Sequence, residues 1–304
     1  MELIKPNINF DFVGKIKWAL TFSLSLFALS VLSLLLKGGP RYGLDFIGGT
    51  VVQVKFANQV DIGEVRAAVD NLTIEGISVQ EFGEKDANEY LISMKTTSEE
   101  LEGISDKIRA VLEQKFGAKS LEIRRVEMVG PKVGKDLRQK GMLAVIFSLI
   151  GMLIYIWYRF ELRFGLGAIF CLVHDVVITL GVFSILNKPV DLIIVAALLT
   201  IVGYDINDTI IVCDRIRENM KKMTQKSLRE VINTSINQTL SRTIITSGTV
   251  VIVLIALFFL GGEVLHDFSF CLLIGVFFGT FSSIYVATPL VIYWEKFFPK
   301  KKRR

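Results

Sequence analysis

Asp205, Asn207 and Asp208 sit in a stretch, Val202-Gly203-Tyr204-Asp205-Ile206-Asn207-Asp208-Thr209, that continues an apolar run starting near Leu192. A helix needs about 20 residues to cross a bilayer, so Leu192–Val202 spans only if it runs on to about Cys213. Two carboxyls and an amide then fall inside the membrane or at its inner edge. An ionisable group there is costly unless paired, protonated or wet, and the chemistry open to it is to take up and release a proton. His174 and Asp175 lie near the middle of a second apolar run, Phe164–Leu186, where the same cost favours function over a buried polar pair. Arg242 opens a third run, Ile244–Leu260. It can snorkel to the interface, or it can pair with Asp208, since both lie near the same ends of antiparallel neighbours. At helical spacing Thr200, Tyr204 and Asp208 share one face, with Asp205 and Thr209 beside it. Asp214 and Arg215 read as a solvated rim.

Composition requires a membrane to hold these residues. The 304 residues are 51% hydrophobic with a mean hydropathy of +0.50, too apolar for an ordinary soluble domain. Charged residues make up 21%, which requires a soluble portion as well. The net charge of +5 does not point to nucleic acid, because the basic residues cluster beside apolar runs. Cys171, Cys213 and Cys271 lie in or beside those runs, so there is neither a disulfide framework nor a Cys/His metal spacing. No nucleophile–base pair or phosphate loop marks an enzyme, and no metal or cofactor is expected.

Six apolar segments emerge: Trp18–Leu36, Gly141–Trp157, Phe164–Leu186, Leu192–Cys213, Ile244–Leu260 and Phe268–Trp294. The first lacks a small-x-small cleavage site and reads as an uncleaved first span rather than a signal peptide. Lys and Arg concentrate in the tail 1–17, in the link after the second span, in the loop 214–242 and in the tail 295–304. Both termini are therefore expected in the cytoplasm of a multi-pass membrane protein. The last tail also suits attraction to anionic lipid. Asn219–Thr239 is amphipathic and is expected to lie on the inner membrane surface or against a partner. Gly275-Val276-Phe277-Phe278-Gly279, followed by Ser282 and Ser283, reads as close helix packing.

The link 37–140 then falls outside the cytoplasm. Alternation at Thr50–Ala57, an Asp61 N-cap for a helix to Leu72, strands at Ile77–Phe82 and Tyr90–Lys95, a Thr97–Glu100 capping box for a helix to about Phe116, and a strand at Leu121–Val129 give the order βαββαβ. That is the ferredoxin-like split motif. A turn is expected at Gly83–Asp86. Between the first span and this α+β domain, Gly43, Asp45, Phe46, Gly48 and Gly49 form an elbow. Its glycines suit a tight turn or a close backbone approach, with a rigid joint and a substrate contact both open.

Gly43–Thr50, Phe164–Asp175, Val202–Asn219 and Ser235–Thr243, in that order among six spans with one large loop after the first, resemble SecF proteins. These belong to the SecD/SecF family within the RND superfamily. The resemblance implies a membrane bundle of six helices, half of an RND unit, with an extracytoplasmic ferredoxin-like domain between spans 1 and 2. It implies protein export driven by the proton motive force, with a SecD-like partner, the SecYEG channel, YajC and an unfolded polypeptide as partners. It places proton passage at Asp208 and Arg242. Asp205 departs from the pattern: it stands where SecF proteins usually carry a small polar residue such as serine. A second carboxyl three residues before Asp208 leaves open which of the two carries the proton, or whether they share it. A non-conducting brace for the channel and a stand-alone proton-coupled transporter remain the alternatives.

Overall fold

The computed structural model describes residues 8–70, 72, 77–82, 88–94, 103–117, 120–159 and 162–297. In chain order its elements are α1 (Ile16–Leu36), α2 (Leu44–Ile47), β1 (Gly49–Phe56), α3 (Ile62–Val69), β2 (Ser78–Phe82), β3 (Glu89–Met94), α4 (Ile104–Phe116), β4 (Leu121–Val129), α5 (Pro131–Arg159), α6 (Leu162–Ile185), α7 (Leu192–Lys222), α8 (Leu228–Leu260), α9 (Gly262–Tyr285) and α10 (Ala287–Phe297). They form two compact units, Met1–Arg41 with Leu143–Arg304, and Tyr42–Met142.

The Tyr42–Met142 unit is built on alternation. Val52, Val54 and Phe56 of β1 point inward with Ile92 of β3, and Val65 of α3 and Ile108 and Leu112 of α4 close over them. The sheet is antiparallel in the order β2-β3-β1-β4, the ferredoxin-like arrangement. Each fully buried aliphatic or aromatic side chain contributes about 1.5–3 kcal/mol of transfer free energy. Asp61 caps α3, its Oδ1 accepting from Gly63 N–H at 2.7 Å. The turn at 83–86 and the capping box at 97–100 lie outside the described residues. In the elbow, Gly48 has φ +76° and Gly49 φ +138°. A Cβ on Gly48 would lie 2.7 Å from Pro131 Cα, and one on Gly49 would lie 2.3 Å from the Met94 carbonyl oxygen. Gly134, in the first turn of α5, likewise passes the backbone of Phe46 and Gly48. Backbone therefore packs on backbone here, with no room for side chains.

Six helical stretches of the described residues are long and apolar enough to cross a membrane, five of them wholly in the other unit and α5 from Leu143 onward. Four depart from the boundaries expected from hydropathy. The segment 219–239 does not lie as a separate surface helix. Asn219 belongs to α7, and α8 runs unbroken from Leu228 into the apolar stretch. Ser227 starts α8 with a capping box to Glu230. Val231, Ile232 and Ile236, the apolar face of that amphipathic segment, are buried, as is Ile216 of α7. Asn219 Nδ2 donates to Ser235 Oγ at 2.9 Å and to Gln238 Oε1 at 2.8 Å, which closes the α7–α8 hairpin. The last apolar segment breaks at Val286, because Pro289 has no N–H to give the Tyr285 carbonyl. Lastly, the second span begins at Pro131, well before Gly141.

Small residues bring the helices of this unit close. Ser23 and Ser30 of α1 are buried, and a Cβ on Gly181 of α6 would lie 2.6 Å from Ser30 Cα. The segment before α1 is held by an asparagine ladder on α8. Asn233 Oδ1 accepts from Phe12 N–H at 2.9 Å and Asn237 Oδ1 from Phe10 N–H at 2.8 Å, while both amides donate to the Phe10 carbonyl. Phe12 also meets Tyr285 at the end of α9, ring centroids 6.2 Å apart. Each net hydrogen bond contributes about 0.5–1.5 kcal/mol. Replacing both Asn233 and Asn237 with alanine should therefore free this strap and raise protease cleavage near Phe10 severalfold, with little change in the melting of the Tyr42–Met142 unit.

Candidate functional site

α7 carries the polar stripe because its N-cap and its apolar flanks commit the whole 31 residues to one helix: the Asp191 side chain accepts from Ile194 N–H, and apolar residues dominate the turns that follow. Its buried positions include Val202, Asp205, Asp208, Thr209, Val212 and Ile216, one face at helical spacing. That face meets α9, where glycines make room. A Cβ on Gly275 would lie 2.3 Å from Ile201 Cδ1, and one on Gly279 would lie 2.6 Å from Asp205 Oδ1. Ile201 and Asp205 are one turn apart, as are Gly275 and Gly279, so two successive turns of α7 seat in two successive notches of α9.

The serines that follow Gly279 reach the other carboxyls. Ser283 Oγ donates to Asp208 Oδ2 at 2.9 Å, and Thr243 Oγ1 of α8 donates to Asp208 Oδ1 at 2.7 Å. Asp208 thus ties α7 to both α8 and α9. Ser282 Oγ donates to Asp175 Oδ2 at 2.5 Å, and His174 Nδ1 is 2.8 Å from Asp175 Oδ1. His174 Nε2 is 2.7 Å from Ser23 Oγ of α1, and its ring stacks on Phe27. One turn from Asp208, Tyr204 OH donates to Ser247 Oγ at 3.3 Å, and Ser247 shares a hydrogen bond with Thr280 Oγ1 at 2.8 Å. Asp205 stands between Asp175 and Asp208, and no hydrogen-bond donor reaches either of its oxygens. His174, Asp175, Asp205 and Asp208 are all buried, and among the described residues no Lys or Arg forms an ion pair with any of these carboxyls.

The structure brings together His174, Asp175, Asp205 and Asp208, and leaves two expected members outside. Arg242 is exposed and forms no ion pair with Asp208. Depth along the helices matches as expected. However, Thr243, one position on and turned by about 100° around α8, takes the place facing Asp208, which directs Arg242 elsewhere. Asn207 is exposed, turned about 100° around α7 from Asp208 and about 200° from Asp205. Thr200 does not share the site face either: it is exposed and bonds back to the Ala196 carbonyl. Eight residues turn a helix about 80° past two full turns, so Thr200 has rotated away from Asp208. Asp214 pairs with Arg159 at 3.0 Å on a half-exposed rim. The elbow residues Gly43, Asp45, Phe46, Gly48 and Gly49 belong to the other unit. Sequence reading missed the roles of Ser23, Gly279, Ser282 and Ser283. The available signal was the Gly275/Gly279 pair followed by adjacent serines, which reads equally as plain helix packing.

A family model described as "Protein export membrane protein SecD/SecF, C-terminal" matches residues 108–297, and one for the "SecD/SecF GG Motif" matches residues 33–60. The chain belongs to the SecD/SecF family. It is 48% identical to the protein translocase subunit SecF of Magnetococcus marinus over 96% of this chain and 94% of that one. It is 44% identical to the protein translocase subunit SecF of Vibrio alginolyticus over 96% of this chain and 91% of that one. The crystal structure of SecDF, a translocon-associated membrane protein from Thermus thermophilus, superposes with a TM-score of 0.85 at 36% identity, covering 97% of this chain. A SecDF structure in a super-membrane-facing form gives 0.71 at 37% identity. The chain spans 40% of the length of either SecDF chain. Its curated relatives are named as translocase subunits, a transport component of the membrane, and the chain is a multi-pass membrane protein.

Proposed function

We propose that this chain is the SecF-like half of a two-half machine that uses the proton motive force to complete polypeptide export across the bacterial inner membrane. The observation that carries this reading is Asp208, a buried carboxyl tied to two other helices by Thr243 and Ser283, with which no Lys or Arg of the described residues forms an ion pair. Protonation converts one carboxyl oxygen from acceptor to donor. Ser283 can accommodate that change, since its hydroxyl also lies 3.0 Å from the Thr280 carbonyl and can turn its proton there. The bonds joining α7, α8 and α9 thus depend on one proton. Moving that charge across the membrane potential supplies about 2.3 kcal/mol per 100 mV, enough to bias two helix packings more than tenfold.

The partner half is a SecD-like protein, as the SecDF structures combine both names in one chain. Arg242 and Asn207, polar and exposed on spanning helices, need cover within a bilayer, and a second six-helix half supplies it. In this orientation the 37–140 domain lies outside the cytoplasm, the termini lie inside, and the SecYEG channel, YajC and the emerging polypeptide are the assembly's further partners. The elbow at Gly48 and Gly49 passes helix repacking to the outer domain, which holds or releases the polypeptide. Inverted membrane vesicles with and without this chain test the reading. Export should gain a proton-gradient-dependent component only when the chain is present, and an equal gradient response in both preparations would refute it.

A further inference from the structure

Asp205 has an arrangement that an ionised carboxylate cannot satisfy. It is 2% exposed, both oxygens lack a donor, and the group within hydrogen-bonding reach is another carboxyl, that of Asp175. Two carboxylates are acceptors only, so they bond to each other only if one carries a proton. The groups around Asp205 decide which one. From α6 it faces Cys171, His174 and Asp175; on α7 its neighbours are Tyr204 and Asp208; from α9 it meets the bare backbone at Gly279. No lysine or arginine of the described residues is among them. Asp175 already has a partner on each oxygen, His174 Nδ1 lying 2.8 Å from Oδ1 and Ser282 Oγ donating to Oδ2. Asp208 likewise accepts on both, from Thr243 and Ser283. Asp205 is the one carboxyl of the three with no donor.

We infer that Asp205 is held as a neutral carboxylic acid that donates its proton to Asp175, so that the pair stores a proton at a site separate from Asp208. Gly279 is the residue that admits it, since any side chain there would occupy the position of the acid group. His174 completes the unit. Fixed by Phe27 and Ser23, its ring keeps Nδ1 on Asp175, so the charge of the pair is supported from α6 and its proton is carried on α7. Loss of that proton would leave two facing carboxylates in a dry site, which forces α6 and α7 apart. The pair therefore makes the α6–α7 contact depend on one proton, as Asp208 makes the α7–α8–α9 contact depend on another. This assignment rests on the proton-driven reading for its use, but not for its chemistry.

Infrared spectroscopy of the full chain reconstituted in lipid tests it at neutral pH, where exposed carboxyls are ionised and silent in the acid carbonyl region. The intact chain should show an acid C=O band that shifts in deuterium oxide. Asp205→Asn should remove it, and so should Asp205→Ser, which covers the case in which the asparagine variant fails to assemble. Asp175→Asn should retain the band at higher frequency, because the acid has lost its charged acceptor. Asp208→Asn should leave it in place. A band that survives both Asp205 substitutions, that vanishes only with Asp208→Asn, or that is absent from the intact chain overturns the assignment. Export measured on the same variants separates the two ideas. If Asp208→Asn exports normally the proton-driven reading fails, and the infrared result still decides the Asp205–Asp175 pair.

Discussion

Gly49→Ala should lower the melting temperature of the Tyr42–Met142 unit by at least about 8 °C, taking about 4–8 °C per kcal/mol for a domain of this size. Two independent costs combine. At φ +138° an L side chain is strained, which costs on the order of 1–3 kcal/mol. The new Cβ would also lie 2.3 Å from the Met94 carbonyl oxygen. That oxygen belongs to the end of β3, beside the Thr50–Met94 register pair. It cannot rotate away as a side chain could, so β1 or β3 must shift, at about 1–3 kcal/mol for overpacking. Two further glycines of the same unit separate the costs. Gly103 has φ +87° but nothing within 4 Å, so alanine there bears strain alone. Gly130 has neither a positive φ nor a neighbour within 4 Å, so alanine there should be close to neutral. Thermal unfolding of the four proteins, followed by circular dichroism or protease resistance, should order them Gly130→Ala, Gly103→Ala, Gly49→Ala from mild to severe. If Gly49→Ala melts with Gly130→Ala, the close approach at the elbow is not a structural requirement.

The fold was legible where one physical signal dominates. Period-two alternation at Val52, Val54 and Phe56 fixes β1, and the strand at Leu121–Val129 is recovered with the same ends. Hydropathy found six spans, since apolar length alone decides whether a helix can cross. It failed at the ends of α7 and α8. There the signal is amphipathic, and an amphipathic helix can cover itself with lipid or with another helix. The choice lay in Asn219, whose amide finds Ser235 and Gln238 across the hairpin, and no single-segment pattern reveals such a pair. The capping box of Ser227 and Glu230 marks where α8 starts.

The candidate site shows the same division. Polarity inside a span picked out His174, Asp175, Asp205 and Asp208, because cost in hydrocarbon is a property of the residue itself. Which group each carboxyl meets depends on the rotation of the neighbouring helix. One step of about 100° separates Arg242 from Thr243, and it decides between an ion pair and a hydroxyl clamp. Depth arguments carry no information about rotation. Gly279 and Ser282 were legible only as packing, and packing and site coincide here: the glycine that lets α9 approach α7 also brings Ser282 and Ser283 to the carboxyls.

Asp208→Asn should leave insertion and folding within about 1 kcal/mol of normal, the scale of one exchanged hydrogen bond, and should abolish the proton-gradient-dependent part of export. The asparagine keeps the shape of the aspartate. Its carbonyl can still accept from Thr243 Oγ1, and its amide can donate to Ser283 Oγ, which releases its own proton to the Thr280 carbonyl 3.0 Å away. All three side chains stay satisfied, in the arrangement that a protonated Asp208 would adopt. The variant is therefore fixed in one of two states rather than broken. Asp208→Leu makes the contrast. It leaves Thr243 and Ser283 facing an apolar group in place of the acceptor that joins them, so helix association itself should weaken. The quantity to measure is export with the gradient divided by export without it, in vesicles of equal chain content. The asparagine variant should bring that ratio to one while its melting stays near normal, whereas the leucine variant should lower both. A brace with no part in proton passage predicts a different result, because it needs only the clamp, and the asparagine retains the clamp. An unchanged ratio in Asp208→Asn would therefore favour the brace and remove Asp208 from the proton path.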